Sequence, residues 1–238
     1  MNPLSYSYRL LPLLLAGLAA LPARAGEPFH DAVRAGDPQR IPGAVFCAYY
    51  DLGGEGVAFH DTDGENQGSG KLNPADGSYL NEFRRHEGLD VSYTKQVPDR
   101  ESPSNRVVPP LGLLYVGWND PGEWFNLTVE TAAAGDYVAD LLYTAQRDAS
   151  ISVAVNGGPG SLVPLASTFD PAETIPWRQW HHWNVAPDSV TVALPKGTSV
   201  LTLRIVSGGN INLATLLFRP AGTARSGPAI TTWQTARP

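Results

Sequence analysis

Cysteine is almost absent from this chain: Cys47 is the only one, so no internal disulfide can form. A chain of 238 residues without bridges must rely on a hydrophobic core, and at this length it can bury one. Cys47 stands in the apolar run Ala44 to Tyr50 and nothing marks a histidine as its partner. It reads as a small buried thiol, not a nucleophile. Helical periodicity is missing after residue 25, no internal repeat is found, and no linker divides the chain. Positive charge is in deficit, with 17 Lys and Arg against 23 Asp and Glu. An acidic surface repels a phosphate backbone, which excludes nucleic acid as a partner and disfavours anionic membrane surfaces.

The one long apolar run lies at the start. Arg9 precedes the 12 residues Leu10 to Leu21, and Ala23-Arg24-Ala25 has the small-x-small form that signal peptidase cleaves. The run is well short of the roughly 20 apolar residues that span a bilayer, and no lipid-acceptor cysteine follows it. Residues 1–25 therefore read as an export signal, and the protein is expected to be secreted or periplasmic, with no membrane insertion after cleavage. Without Arg9 and Arg24, 15 basic residues face 23 acidic ones, a net charge of −8 against −6 for the whole chain.

What is present in quantity is turn and strand. Glycine (24) and proline (21) punctuate the chain throughout. Strand signals fall at Val45–Tyr50, Val57–His60, Leu89–Tyr93, Leu113–Trp118, Trp124–Val129, Tyr137–Ala145, Ser150–Val155, Trp183–Val185, Val190–Leu194, Val200–Val206 and Ile211–Phe218. Alternation of apolar and polar residues is clearest in Val200–Val206 and Trp124–Val129. Many short strands without crossover helices predict an all-β fold, an antiparallel β-sandwich or jelly roll. The stretches 64–82, 94–110 and 156–179 are long, polar and turn-rich, and loops of that length in a compact domain are often functional. A lead over 26–40, one sandwich domain over 41–219 and a loose tail over 220–238 complete the organisation.

Five segments carry the chain's identity: Gly53-Gly54-Glu55-Gly56-Val57-Ala58, Glu87-Gly88-Leu89-Asp90-Val91, Val116-Gly117-Trp118 through Gly122-Glu123-Trp124, Trp177-Arg178-Gln179-Trp180, and Asn212-Leu213. None assembles a catalytic constellation. With Ile41-Pro42-Gly43, Tyr50-Asp51, Asp61-Thr62-Asp63 and Arg84, they occur in the order found in carbohydrate-binding module family 6. The chain resembles that galactose-binding-like β-sandwich group over most of residues 41–218. The resemblance implies a lectin-like glycan or polysaccharide binder with its site in loops at one edge of the sandwich. There two aromatic rings bracket a sugar and an asparagine bonds its hydroxyls. Carried over by position, Trp177 and Asn212 take those roles, Phe83 stands where a tyrosine is common, and Glu55 matches an acidic residue near the cleft. Tyr79, in the long stretch 64–82, is expected to add or replace a ring. The family's first strand usually carries two glutamates that hold a structural calcium; here Phe46 and Ala48 stand there and offer no oxygen ligands. No cofactor is expected. Ala214 replaces a second asparagine.

Other features have plain readings. Trp118, Trp124 and Trp180 are expected to pack between sheets, Trp183 is undecided, and Trp233 is incidental. His181 and His182 are adjacent on a strand, point to opposite faces and cannot chelate one ion well. Asp61-Thr62-Asp63 reads as a solvated turn. Asn126-Leu127-Thr128 fits a glycosylation pattern but lies inside a strand. A glycoside hydrolase or lyase on this scaffold would need two carboxylates across a cleft, and no motif singles out a pair. An envelope or adhesion protein binding another protein is the remaining alternative.

Overall fold

The computed structural model describes residues 26–225. The export signal expected over 1–25, most of the expected tail and Trp233 lie outside the described residues. In chain order the strands are β1 (Gln39–Ile41), β2 (Gly43–Phe46), β3 (Phe59–His60), β4 (Val91–Tyr93), β5 (Leu114–Asn119), β6 (Trp124–Thr131), β7 (Gly135–Ala145), β8 (Ala149–Val155), β9 (Ser161–Leu165), β10 (Asn184–Leu194), β11 (Gly197–Ser207) and β12 (Ile211–Pro220). They form two sheets, one in the order β1-β6-β11-β8-β9 and the other β10-β7-β12-β5-β4. Strand β3 shares the β1 side of β6, and β2 shares the β5 side of β12. Pairing is antiparallel except for β1, which runs parallel to β6. The fold is a β-sandwich.

Alternation decides which face is buried. In β11, Ser199, Leu201, Leu203 and Ile205 point inward while Thr198, Thr202 and Arg204 face out, as the period of two requires. Strand β8 does the same with Ala149, Ile151 and Val153. The second sheet is different. Strands β7 and β12 are buried on both faces over most of their length. Leu114, Val116, Leu141, Tyr143 and Leu213 face the core between the sheets. Tyr115, Leu142 and Ala214, one residue out of phase, form a second apolar cluster with Leu113 and Trp183 on the other face. The cover on that face is the 94–110 excursion, clasped to Trp183. Arg106 N and Val107 N donate to Trp183 O at 3.0 and 3.2 Å, and Trp183 N donates to Asn105 Oδ1 at 2.9 Å.

The structure departs from the sequence expectation in several places. The run Val45–Tyr50 leaves the sheet after Phe46 and closes as a 3-10 turn over Cys47–Tyr49. Leu89 and Asp90 precede β4, and only Phe59–His60 of Val57–His60 pairs. Asn184, Val185 and Val190–Leu194 belong to one strand, β10, with a register shift between Ala186 and Val190, while Trp183, with His181 and His182 expected on a strand, lies in the loop just before it. Two strands, β1 and β9, had no signal: β1 is three residues long, and Pro164 breaks the pattern of β9. The lead is built into the body, with Glu27 bridged to Leu52 and Phe29 buried.

Candidate functional site

Where the 94–110 excursion meets the turn carrying Trp177, they frame a groove of about 380 Å³ on the outer side of the second sheet. Pro176 opens a short 3-10 turn, Pro176–Gln179, which holds the Trp177 side chain 54% exposed. That turn is pinned from behind. Arg178 donates from Nε and an Nη to the two Glu173 carboxylate oxygens at 2.7 and 2.9 Å, a bidentate pair. Gln179 adds a bond to Glu173 O at 3.1 Å.

The opposite wall is Trp118, at the end of β5, half-buried and in the left-handed backbone region with φ 51°. Two glycines make its placement possible. A Cβ on Gly117 would stand 2.9 Å from Asn212 Oδ1 and 3.0 Å from the Tyr115 ring. A Cβ on Gly68 would meet Val91 O at 2.0 Å and the Trp118 ring at 3.2 Å, so only glycine lets the 64–82 loop lie against this wall. The same loop brings Leu72 to the rim.

Between the walls His181 is the hub of an aromatic cluster. Its ring stacks on Trp180 (5.6 Å, 28°) and meets Trp177 (6.2 Å, 86°), Tyr115 (5.8 Å) and Trp183 (5.7 Å) edge-on. His181 Nε2 lies 2.7 Å from Asp99 Oδ1, out of line for a well-formed hydrogen bond. Asp99 also accepts from Lys95 N at 2.6 Å and from Trp183 Nε1 at 3.3 Å. Burial alone would raise its pKa, but His181 and these donors outweigh burial and hold the carboxyl below the usual range. Lys95 donates from Nζ to Asn73 Oδ1 at 2.8 Å, and burial lowers its pKa against the opposing pull of Asp99. The groove thus has aromatic walls and a small polar floor.

The sequence-derived site residues fall in separate places. Trp177 is exposed in the groove. Asn212 is buried, its Oδ1 accepting Trp118 N at 3.1 Å and its Nδ2 donating to Thr144 Oγ1 at 2.9 Å, so the amide is spent inside the protein. Phe83 is buried among Phe29 (5.3 Å), Tyr79 (5.4 Å) and Tyr49 (5.9 Å). Tyr79 covers that cluster and donates to Asp31 Oδ2 at 2.8 Å. Glu55 caps its own turn, with His60 Nδ1 at 2.5 Å and Asp61 N donating at 3.1 Å. Of the five, only Trp177 lines the groove.

The tryptophans expected between the sheets are elsewhere: no tryptophan belongs to the inter-sheet core among the described residues. Trp118 and Trp180 line the groove, Trp124 lies beside Arg204 at 5.7 Å, and Trp183 is buried beneath the excursion. Trp118, Tyr115, His181, Asp99 and Lys95 were missed as site residues. Only Gly117 before Trp118 hinted at one of them, since a glycine beside a large ring marks close approach. At Phe46, a neutral amide binds the backbone: Gln39 Oε1 accepts from Phe46 N at 2.8 Å and Gln39 Nε2 donates to Phe46 O at 3.2 Å. Asn126 is buried, donating to Val57 O and accepting from Thr202, and is closed to glycosylation. Among the described residues no three His, Cys, Asp or Glu side chains gather as a metal site.

No family model matches this chain, and no curated protein matches it. Solved structures similar to it include a carbohydrate-binding module of Clostridium stercorarium in complex with cellobiose. That module is 10% identical, with a TM-score of 0.46, over 79% of this chain and 100% of its own. A family 35 carbohydrate-binding module from Clostridium thermocellum is 22% identical, with a TM-score of 0.36, over 46% of this chain and 80% of its own. An exo-β-1,3-galactanase from Phanerochaete chrysosporium with β-1,3-galactotriose is 18% identical, with a TM-score of 0.36, over 44% of this chain. The match spans 23% of the galactanase's length.

Proposed function

We propose that this protein is exported and binds a polysaccharide without cleaving it, laying the rings of Trp177 and Trp118 against sugar faces in the groove. One observation carries the reading: an exposed tryptophan held on a pinned turn shares a groove with Trp118, Trp180 and Tyr115. A pyranose offers an apolar face of C–H groups and an edge of hydroxyls. Aromatic planes cover the first, while Lys95 and Asp99 supply a donor and an acceptor for the second. Each ring removes about 50–80 Å² of apolar surface from water, or about 1–2 kcal/mol at 25 cal/mol per Å². Ordering costs offset much of that, so one sugar unit binds weakly and affinity rises with chain length.

The lining also speaks against hydrolysis. Acid–base cleavage of a glycosidic bond uses two carboxylates about 5–10 Å apart. Asp99 is the one carboxylate that lines the groove among the described residues, so the lining holds no second carboxylate to pair with it. Asp61, Asp90 and Glu123 stand outside the lining and serve backbone donors at Asp63, Gln67 and Asp120. A glycan microarray probed with the chain and with Trp177→Ala tests the reading, alongside an assay for reducing-sugar release. Binding that the substitution abolishes, with no sugar released, is the expected result. Silence of the array, or release of sugar, overturns it.

A further inference from the structure

The segment Trp180–Asn184 has two sides. His181 faces the groove; His182, the next residue, faces away and lines a separate cavity of about 260 Å³. Arg106, Ser104, Phe169, Asp170 and Asn184 line it too, with the 167–168 segment beside them. Several of these groups have bonding capacity to spare. The Arg106 guanidinium is exposed and makes no hydrogen bond or ion pair among the described residues. His182 is 2% exposed, with Nδ1 2.9 Å from Ser102 Oγ and Nε2 without a partner. The Asn184 amide reaches Tyr143 Oη at 3.5 Å. Asp170 accepts from Ser104 Oγ at 2.7 Å and from Ala172 N at 2.9 Å, which leaves lone pairs free on a carboxylate. The Phe169 ring is 47% exposed.

We propose that this cavity is a second binding site, which takes one neutral, hydroxyl-rich pyranose unit independently of the groove. Its volume lies just under the roughly 300–1,000 Å³ of drug-sized sites, so it suits a single ring, not a chain. A sugar hydroxyl both donates and accepts, and the walls present both kinds of partner: a guanidinium donor, a carboxylate acceptor, and an imidazole and amide that serve as either. The charges select against ions. Asp170 repels an anion and Arg106 repels a cation, while a neutral diol can bridge the two. His182 adds no charge, because burial lowers its pKa and favours the neutral ring. Phe169 offers an aromatic face for the apolar side of the ring. The ligand class rests on the glycan-binding reading above; the site does not.

Amide and indole chemical shifts of the full chain, titrated with millimolar D-glucose, D-galactose, D-xylose and sodium D-glucuronate, separate the two sites. The comparison uses wild type, Trp177→Ala and Arg106→Ala. The expected result is that a neutral sugar shifts the backbone amides of Ser104, Phe169 and Asn184, and still does so in Trp177→Ala. Arg106→Ala, which removes an unpaired exposed side chain and leaves the fold intact, weakens that response at least tenfold, as loss of a charged hydrogen bond of about 1.5–3 kcal/mol requires. Shifts confined to the Trp118 and Trp177 indoles overturn this proposal and leave the groove reading standing. Glucuronate shifting the cavity amides while neutral sugars do not overturns the assigned ligand class. Cavity shifts without groove shifts support the second site, since the groove is expected to hold one sugar unit only weakly, and no cavity shift with any of the sugars overturns it.

Discussion

Asn212 holds Trp118. Its side-chain oxygen accepts the Trp118 backbone N–H at 3.1 Å, and its amide nitrogen is anchored to Thr144 Oγ1 at 2.9 Å. The bond spans the β12–β5 boundary at a register irregularity between Ile211 and Leu213. Trp118 has a left-handed φ there, which a bulky residue adopts only when its surroundings enforce it. The amide acts on the groove through the tryptophan it positions.

Asn212→Ala should therefore weaken glycan binding and stability together. It leaves Trp118 N and Thr144 Oγ1 without their partner in a buried setting, at about 1–3 kcal/mol each. For a domain of this size each kcal/mol lowers the Tm by about 2–4 °C. Thermal melts and glycan titration of one preparation check both effects, and lost binding with an unchanged Tm would put Asn212 in direct contact with sugar.

Trp177 and Trp183 should separate cleanly. Trp177, 54% exposed on a turn held by Arg178 and Glu173, can become alanine with a change within about 0.5 kcal/mol, while glycan binding is lost. Trp183, fully buried beneath the 94–110 excursion, should cost about 3–5 kcal/mol as Trp183→Ala. Chemical denaturation of the two variants is the measurement; equal destabilisation would show that Trp177 belongs to the packed interior.

Asp90 predicts a pH dependence. Burial, and then the neighbouring charges of Asp61, Asp63 and Glu123, raise its pKa to about 7, against a lowering bond from Gln67 N. The folded state thus holds a proton that the unfolded chain has released. Stability is fully present below the usual carboxylate range and declines as pH rises from about 4 to about 7. Asp90→Asn keeps an oxygen for Gln67 N and removes the charge. Its Tm should exceed that of wild type at pH 8 and show a shallower decline across that window. A slope unchanged by the substitution sinks the assignment.

Cys47 should be silent in the native protein. It is fully buried, and burial raises its pKa, so thiolate is scarce and reagent has no access. An aromatic disulfide reagent should react only in denaturant, at a rate set by opening of the fold. Prompt reaction in native buffer would contradict the packing at the Cys47–Tyr49 turn.

How much of this was legible in the sequence follows from which interactions are local. Alternation in Val200–Val206 and Trp124–Val129 settled strand and facing, because successive side chains on a strand must point to opposite sides. Pro176 before Trp177 marked a turn, and turns are exposed. The Gly117-Trp118 pair belongs here too, since a missing Cβ is a local fact even when its reason, the Asn212 oxygen, lies far along the chain.

What remained for the tertiary structure is which faces are covered. The second sheet would expose Tyr115, Leu142 and Ala214 had the 94–110 excursion not folded over them, and the apolar runs of β5, β7 and β12 call for a cover without saying which segment supplies it. The excursion turned Trp183 into core and joined Tyr115, His181 and Asp99 to Trp177 in one groove. Asn212, Phe83, Tyr79 and Glu55 are taken up by partners elsewhere in the fold. Strand identity is written in neighbouring residues. Burial is decided by segments that meet only after the chain has closed on itself, and a binding site is made of such meetings.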